Sequence, residues 1–135
     1  MDLLEKHLFV KESKLPNAGK GLFTKIEIAK GTRILEYKGK LQTWNEVKED
    51  SDNAYLFVIN SRAVINAAPF KKLLGRYAND AAGLLKVKGL TNNAEYVVEG
   101  KRCFIEAKKN IPANEEIFVA YGKEYWKVTK KNHEN

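Results

Sequence analysis

The sequence predicts a mainly β domain with a few short helices. Short runs rich in aliphatic, β-branched and aromatic residues dominate, and Gly, Asn, Asp or Pro separates them at close intervals. Helical periodicity of the apolar residues is sparse. The 135 residues, 44% of them apolar, suit one domain with a true core.

Leu8-Phe9-Val10 reads as a first strand, and Leu15 to Gly21 as a turn-rich loop before Leu22-Phe23 resumes β structure. Gly19 and Gly21 bracket one residue, which permits a sharp bend and lets a ligand approach the backbone amides; alone, this pattern is also that of an ordinary turn. It lacks the third glycine of a dinucleotide fingerprint and is no Walker loop. Lys30-Gly31 makes a turn, Thr32 to Tyr37 a strand, and Lys38-Gly39-Lys40 turns the chain toward Leu41. Thr43-Trp44-Asn45-Glu46 has the form of a capping box, so a short helix is expected from there toward Glu49. Tyr55–Ile59 and Ala63–Ile65 are strands about an Asn60-Ser61 turn, and Pro69 to Tyr77 reads as one or two helical turns. Ala81 to Asn93 is loop. A hairpin follows, with arms Glu95–Val98 and Arg102–Ala107 about Glu99-Gly100-Lys101. Ile111 to Asn114 is a turn, Ile117 to Val119 a last strand, and Tyr125-Trp126 closes a face. We expect a single domain over residues 1–135, with its core at about 8–127 and a frayed polar tail at 128–135.

The net charge of +7 raises the question of a polyanionic partner. The lysines are scattered, as at Lys71-Lys72, Lys108-Lys109 and Lys130-Lys131, without the interleaved aromatics of a base-stacking platform. Direct nucleic-acid binding is therefore not expected. The single Cys103 excludes an internal disulfide and a Cys-rich zinc site, and its apolar surroundings suggest a buried, inert thiol. No metal is expected. Met1 to Val10 lacks the apolar core of a signal peptide, and no run approaches a membrane span. The chain reads as soluble and intracellular, with no membrane partner.

Three stretches stand apart: Gly19-Lys20-Gly21-Leu22-Phe23, Arg76-Tyr77-Ala78-Asn79-Asp80-Ala81, and Glu115-Glu116-Ile117-Phe118-Val119-Ala120-Tyr121-Gly122. We expect them to meet in space. Together with Asn93-Ala94, in this order and at these separations, they resemble the motifs of the SET-domain protein lysine methyltransferases. The likeness runs from about Phe9 to Trp126. Without flanking cysteine clusters, the chain is similar to the minimal viral and bacterial members.

The resemblance implies small sheets in a β-clip-like arrangement around a C-terminal pseudoknot, an unusual topology for a chain. It implies methyl transfer from S-adenosylmethionine to a lysine ε-amine of a protein, histone or non-histone, in the cytoplasm or, for a viral or secreted effector, a host nucleus. It assigns Tyr121 the central catalytic role and makes Tyr55 an aromatic wall of the lysine channel, although core packing suits Tyr55 nearly as well. Val119 joins this channel, where relatives often carry Phe or Tyr; a smaller side chain leaves room for an already methylated amine. Cofactor contacts fall to the backbone of Lys20, Gly21 and Leu22, to Asn79 and Asp80, to Tyr121, and to Tyr125 or Trp126 over the adenine. Arg76 is expected to pair with a carboxylate. A homodimer is expected if the Trp126 face is exposed.

Two departures stand out: Asp80 replaces the family's His, and Ala81 its Ser. Asp80 is tolerable if the residue acts mainly through its backbone. Glu46, Glu49, Asp50 and Asp52 offer an acidic cluster for a basic substrate. The rival readings are a catalytically inactive SET-like module that binds a peptide or partner, and a basic nucleic-acid-associated protein.

Overall fold

Alternation and turn chemistry set the first ribbon. In the computed structural model, which describes residues 3–50, 55–69, 74–81 and 88–120, β1 (Leu8–Glu12) pairs antiparallel with β2 (Lys20–Thr24). The connecting loop bends at Asn17 and Gly19, with φ of 61° and 72°. β1 continues past the expected Val10, because Lys11 and Glu12 find partners in Gly21 and Lys20.

β3 (Arg33–Glu36) and β4 (Lys40–Gln42) are separated by the Lys38-Gly39 corner. A Cβ on Gly39 would collide with the backbone of Asn66, its carbonyl carbon lying only 2.6 Å away. The predicted short helix is α1 (Trp44–Val47), which runs on as a 3-10 turn at Lys48–Asp50. Glu46 reaches back to accept from Thr43 N–H at 3.0 Å, as the capping motif requires. β5 (Leu56–Asn60) and β6 (Ala63–Asn66) follow, then a 3-10 turn at Leu74–Tyr77. The rest of the predicted helical stretch, 70–73, lies outside the described residues. β7 (Ala94–Glu99) and β8 (Arg102–Ala107) form the predicted hairpin, turning at Gly100 with φ of 62°.

The strands form three small sheets, ordered β1-β2, β3-β8-β7 and β4-β6-β5. The main core gathers Leu8, Leu22, Ile34, Leu35 and Ile105 from the first two sheets, Ile28 and Ile111 from loops that bridge each other, and Ile117 and Val119 from the terminal segment. A second core under the third sheet joins Tyr37, Ile65, Ala67 and Cys103, flanked by Tyr55, Phe57 and Tyr96. On the β3-β8-β7 sheet, Phe104 lies beneath two guanidinium groups, Arg33 at 4.2 Å and Arg102 at 4.9 Å from its ring centre. Arg33 is held in turn by Glu99 and Glu106, and Arg102 by Glu36.

The predicted last strand, Ile117–Val119, is not a strand of any sheet. It makes isolated bridges instead: Glu116 with Phe23, Phe118 with Asn79, and Val119 with Ala94. The segment changes partner at almost every residue, so no ladder builds along it.

Candidate active site

The terminal segment is where the distant stretches meet. Its β-prone side chains, Ile117, Phe118 and Val119, are all buried. Its backbone must therefore find partners inside the protein. On one side Ile117 N–H donates to Leu22 O at 2.7 Å, and Val119 N–H donates to Asn79 O at 2.8 Å. On the other, Asn93 grips it through both ends of its amide: Nδ2 donates to Glu116 O, and Oδ1 accepts from Phe118 N–H, each at 2.9 Å. The segment is thus clamped between the stretches ending at Asn79 and beginning at Asn93.

Asn79 also closes the contact with the glycine loop, donating from Nδ2 to Lys20 O at 3.0 Å. Its Oδ1 accepts no hydrogen bond among the described residues. Glu116, 1% exposed, is the hub beneath this contact. Its carboxylate accepts from Ser13 Oγ at 2.6 Å, from Lys14 N–H at 2.8 Å, and at 3.5 Å from Asn79 Nδ2. Gly21 faces that carboxylate. A Cβ there would strike it, the carboxyl carbon being only 2.9 Å away. The second glycine of the motif is therefore needed for close approach to Glu116, while Gly19 supplies the bend.

Asp80 is 7% exposed and its carboxylate turns inward, accepting from Asn92 Nδ2 at 2.8 Å. Asn92 Oδ1 accepts from Ala81 N–H at 2.8 Å. Ala81 packs with Leu15 and Phe118 in a small apolar cluster, which accounts for a methyl where a hydroxyl was expected. Val119 is fully buried in the main core.

Arg76 departs from expectation. Among the described residues it meets backbone and rings rather than a carboxylate. Its Nη1 donates to Ala68 O at 2.8 Å, its guanidinium stacks 4.0 Å from the centre of the Tyr55 ring, and its Nε is buried without a hydrogen-bond partner. Tyr55, half-buried, borders the second core and receives the Tyr37 hydroxyl proton on its backbone carbonyl at 2.8 Å. Tyr121, Tyr125 and Trp126 lie outside the described residues, as does Asp52 of the acidic cluster.

The structure brings Lys20, Gly21, Leu22, Asn79, Asp80 and Val119 together through Glu116 and Asn93. Sequence reasoning gave no role to Glu116, Ser13 or Asn92. Two signals were available for Glu116: its place in the terminal motif, and a glycine whose missing side chain implies a close neighbour. Among the described residues no group of His, Cys, Asp and Glu could hold a metal ion, and no helix is long and apolar enough to cross a membrane.

Small antiparallel sheets around a clamped terminal segment are the architecture of a SET domain. The chain belongs to the SET domain family, whose profile matches residues 19–122. It is 30% identical over 140 residues, 93% of this chain, to the histone-lysine N-methyltransferase EZH2 of Chaetomium thermophilum. It spans only 9% of that relative's length. Among solved structures, ctPRC2 in an autoinhibited conformation bound to S-adenosylmethionine matches at a TM-score of 0.71 and 27% identity, over 94% of this chain and 16% of that one. A humanized mutant of the Chaetomium thermophilum Polycomb Repressive Complex 2, bound to an inhibitor, matches at 0.69 and 27%, over 85% of this chain and 15% of that one.

Proposed function

We propose that this SET domain is an S-adenosylmethionine-dependent protein-lysine N-methyltransferase acting on a lysine of a histone or another basic protein. The observation that carries the reading is the meeting of the glycine loop, Asn79 and the terminal segment immediately before Tyr121. Likeness to a histone-lysine N-methyltransferase and to a structure bound to S-adenosylmethionine supports it.

The residues present fit the cofactor. Lys20 is exposed at the start of β2, just after the bend at Gly19, and Asn79 Oδ1, which accepts no hydrogen bond among the described residues, is an acceptor suited to an ammonium group. The backbone of Lys20, Gly21 and Leu22 would hold the methionine end, with Asn79 and Asp80 at the methionine and adenine parts and Tyr125 or Trp126 over the adenine. The cofactor supplies the methyl as an electrophile on a positively charged sulfur. The protein's part is to present a neutral amine in line with it. Deprotonating a free lysine at pH 7 costs about 4–5 kcal/mol. Burial and a nearby positive charge both reduce that cost, so no strong general base is required. Tyr121 orients the amine by its phenol, Tyr55 walls the lysine channel, and the small Val119 leaves space for a methylated amine. Alignment supplies the rate.

The test is calorimetric titration with S-adenosylmethionine, followed by mass spectrometry of a panel of basic proteins. Binding below millimolar concentration and methylated lysine are expected. No binding at millimolar cofactor would remove the reading. Tyr121→Phe should lower kcat roughly hundredfold; full activity in that variant would remove the assignment of Tyr121. Products limited to one methyl would count against the role given to Val119.

A further inference from the structure

Asp80 stands where SET domains carry His, and its buried carboxylate accepts a hydrogen bond from Asn92. The Asn92 amide is used at both ends: Nδ2 donates to Asp80 Oδ1, and Oδ1 accepts from Ala81 N–H, both at 2.8 Å. Both residues are almost fully buried, at 7% and 9% exposure. Buried polar groups of this kind are costly to leave unmatched. Each end of this clasp adjoins a residue that holds the terminal segment. Asn79, beside Asp80, accepts from Val119 N–H and donates to Lys20 O. Asn93, beside Asn92, holds Glu116 O and Phe118 N–H.

We propose that Asp80 and Asn92 are a positioning pair that sets the spacing between the Asn79 and Asn93 clamps, and so the placement of the glycine loop against the terminal segment. The proposal rests on the methyltransferase reading for its functional consequence. Asp80 would meet the cofactor chiefly through its backbone, so neither side chain needs to touch it. The clasp ties Asp80 and Ala81 to Asn92 and holds Asn79 in register with Val119. The carboxylate in the histidine's position then has its own work: it is an acceptor for the amide that also holds Ala81 N–H.

The donor pattern gives a sharp test. Asn92→Asp keeps an acceptor for Ala81 N–H but sets two carboxylates against each other in a buried site. Asp80→Asn keeps an acceptor for Asn92. The double exchange, Asp80→Asn with Asn92→Asp, restores both hydrogen bonds with one direction reversed. In the full chain, calorimetry with S-adenosylmethionine should show Asn92→Asp weakened about tenfold, and the double exchange within about twofold of the parent. Amide exchange should quicken at Ala81 and Val119 in Asn92→Asp and return in the double exchange.

A lowered melting temperature in Asn92→Asp with unchanged cofactor affinity would overturn the positioning role, leaving a structural stitch. So would a double exchange no better than the single variant. If Asn92→Asp does not fold, Asp80→Ala, which removes the acceptor without adding charge, takes its place with the same readouts; unchanged affinity there overturns the proposal. A parent chain that binds no cofactor would instead remove the methyltransferase reading, and the exchange rates at Ala81 and Val119 would still decide whether the clasp holds the clamps.

Discussion

Gly21 and Glu116 show how one missing methyl controls a buried charge. The carboxylate occupies the space a side chain at 21 would need, and from there it gathers Ser13, Lys14 and Asn79. Gly21→Ala should therefore destabilise the fold by about 1–3 kcal/mol, through overpacking against a group that cannot retreat into solvent. Urea unfolding measures it; an unchanged midpoint would show that Glu116 can move. Cys103 is the opposite case, a reactive group made inert. Burial, with the Glu36 charge as a smaller cause, pushes its thiol from 9.0 up to about 12. The folded-state value is raised, so this contribution to stability is whole below pH 9 and falls as pH rises from 9 toward 12. Iodoacetamide at pH 8 should label Cys103 only at the rate of unfolding, and the melting temperature should fall above pH 9.

At the scale of elements, strands and caps are fastened by charges at the surface. Arg102 holds the Glu36 carboxylate below its usual range across β3 and β8, Arg33 does the same for Glu99, and the Thr43 N–H and hydroxyl do so for Glu46 at the start of α1. Each of these values is depressed in the folded chain. Their stabilisation is therefore present above 4.5 and lost as pH falls below it. Melting temperatures at pH 7 and about pH 3 should differ in that direction, and Arg102→Ala should shrink the difference. Because Arg102 is 64% exposed, solvent screens its ion pair and its removal should lower the melting temperature only slightly at pH 7. A larger loss would assign the stabilisation to its packing on Phe104.

For the whole molecule, the decisive feature is closure over long sequence separation. Ser13 and Glu116 are 103 residues apart and share one of the shortest hydrogen bonds described. The two clamps on the terminal segment join it to the glycine loop, the Asn79 stretch and the start of the hairpin, so they need all three in position. Loop-closure entropy is then met before the reward arrives. Asn93→Ala removes both grips on Glu116 O and Phe118 N–H and should cost about 2–4 kcal/mol. Stopped-flow refolding should show unfolding accelerated more than folding slowed, because the clamp closes last. Folding slowed more than unfolding accelerated would place the clamp in the nucleus instead.

Local chemistry determined much of this chain. Apolar runs and turn residues located seven of the eight described strands to within a few residues, missing only the short β4 that was read as a turn, with Gly100 in the hairpin turn and Thr43 and Glu46 at the helix start, because each depends on neighbours in sequence. The ordered motifs likewise carried the family and the meeting of its three stretches. Tertiary structure alone decided the rest. Ile117 to Val119 has the composition of a strand, yet its partners change from residue to residue and no sheet forms. Arg76 finds carbonyls and the Tyr55 ring where a carboxylate was expected, Asp80 turns to Asn92, and Gly21 yields its space to Glu116. A buried polar group is satisfied by whichever partner the packing delivers, and that partner lies far along the chain where no local pattern can name it.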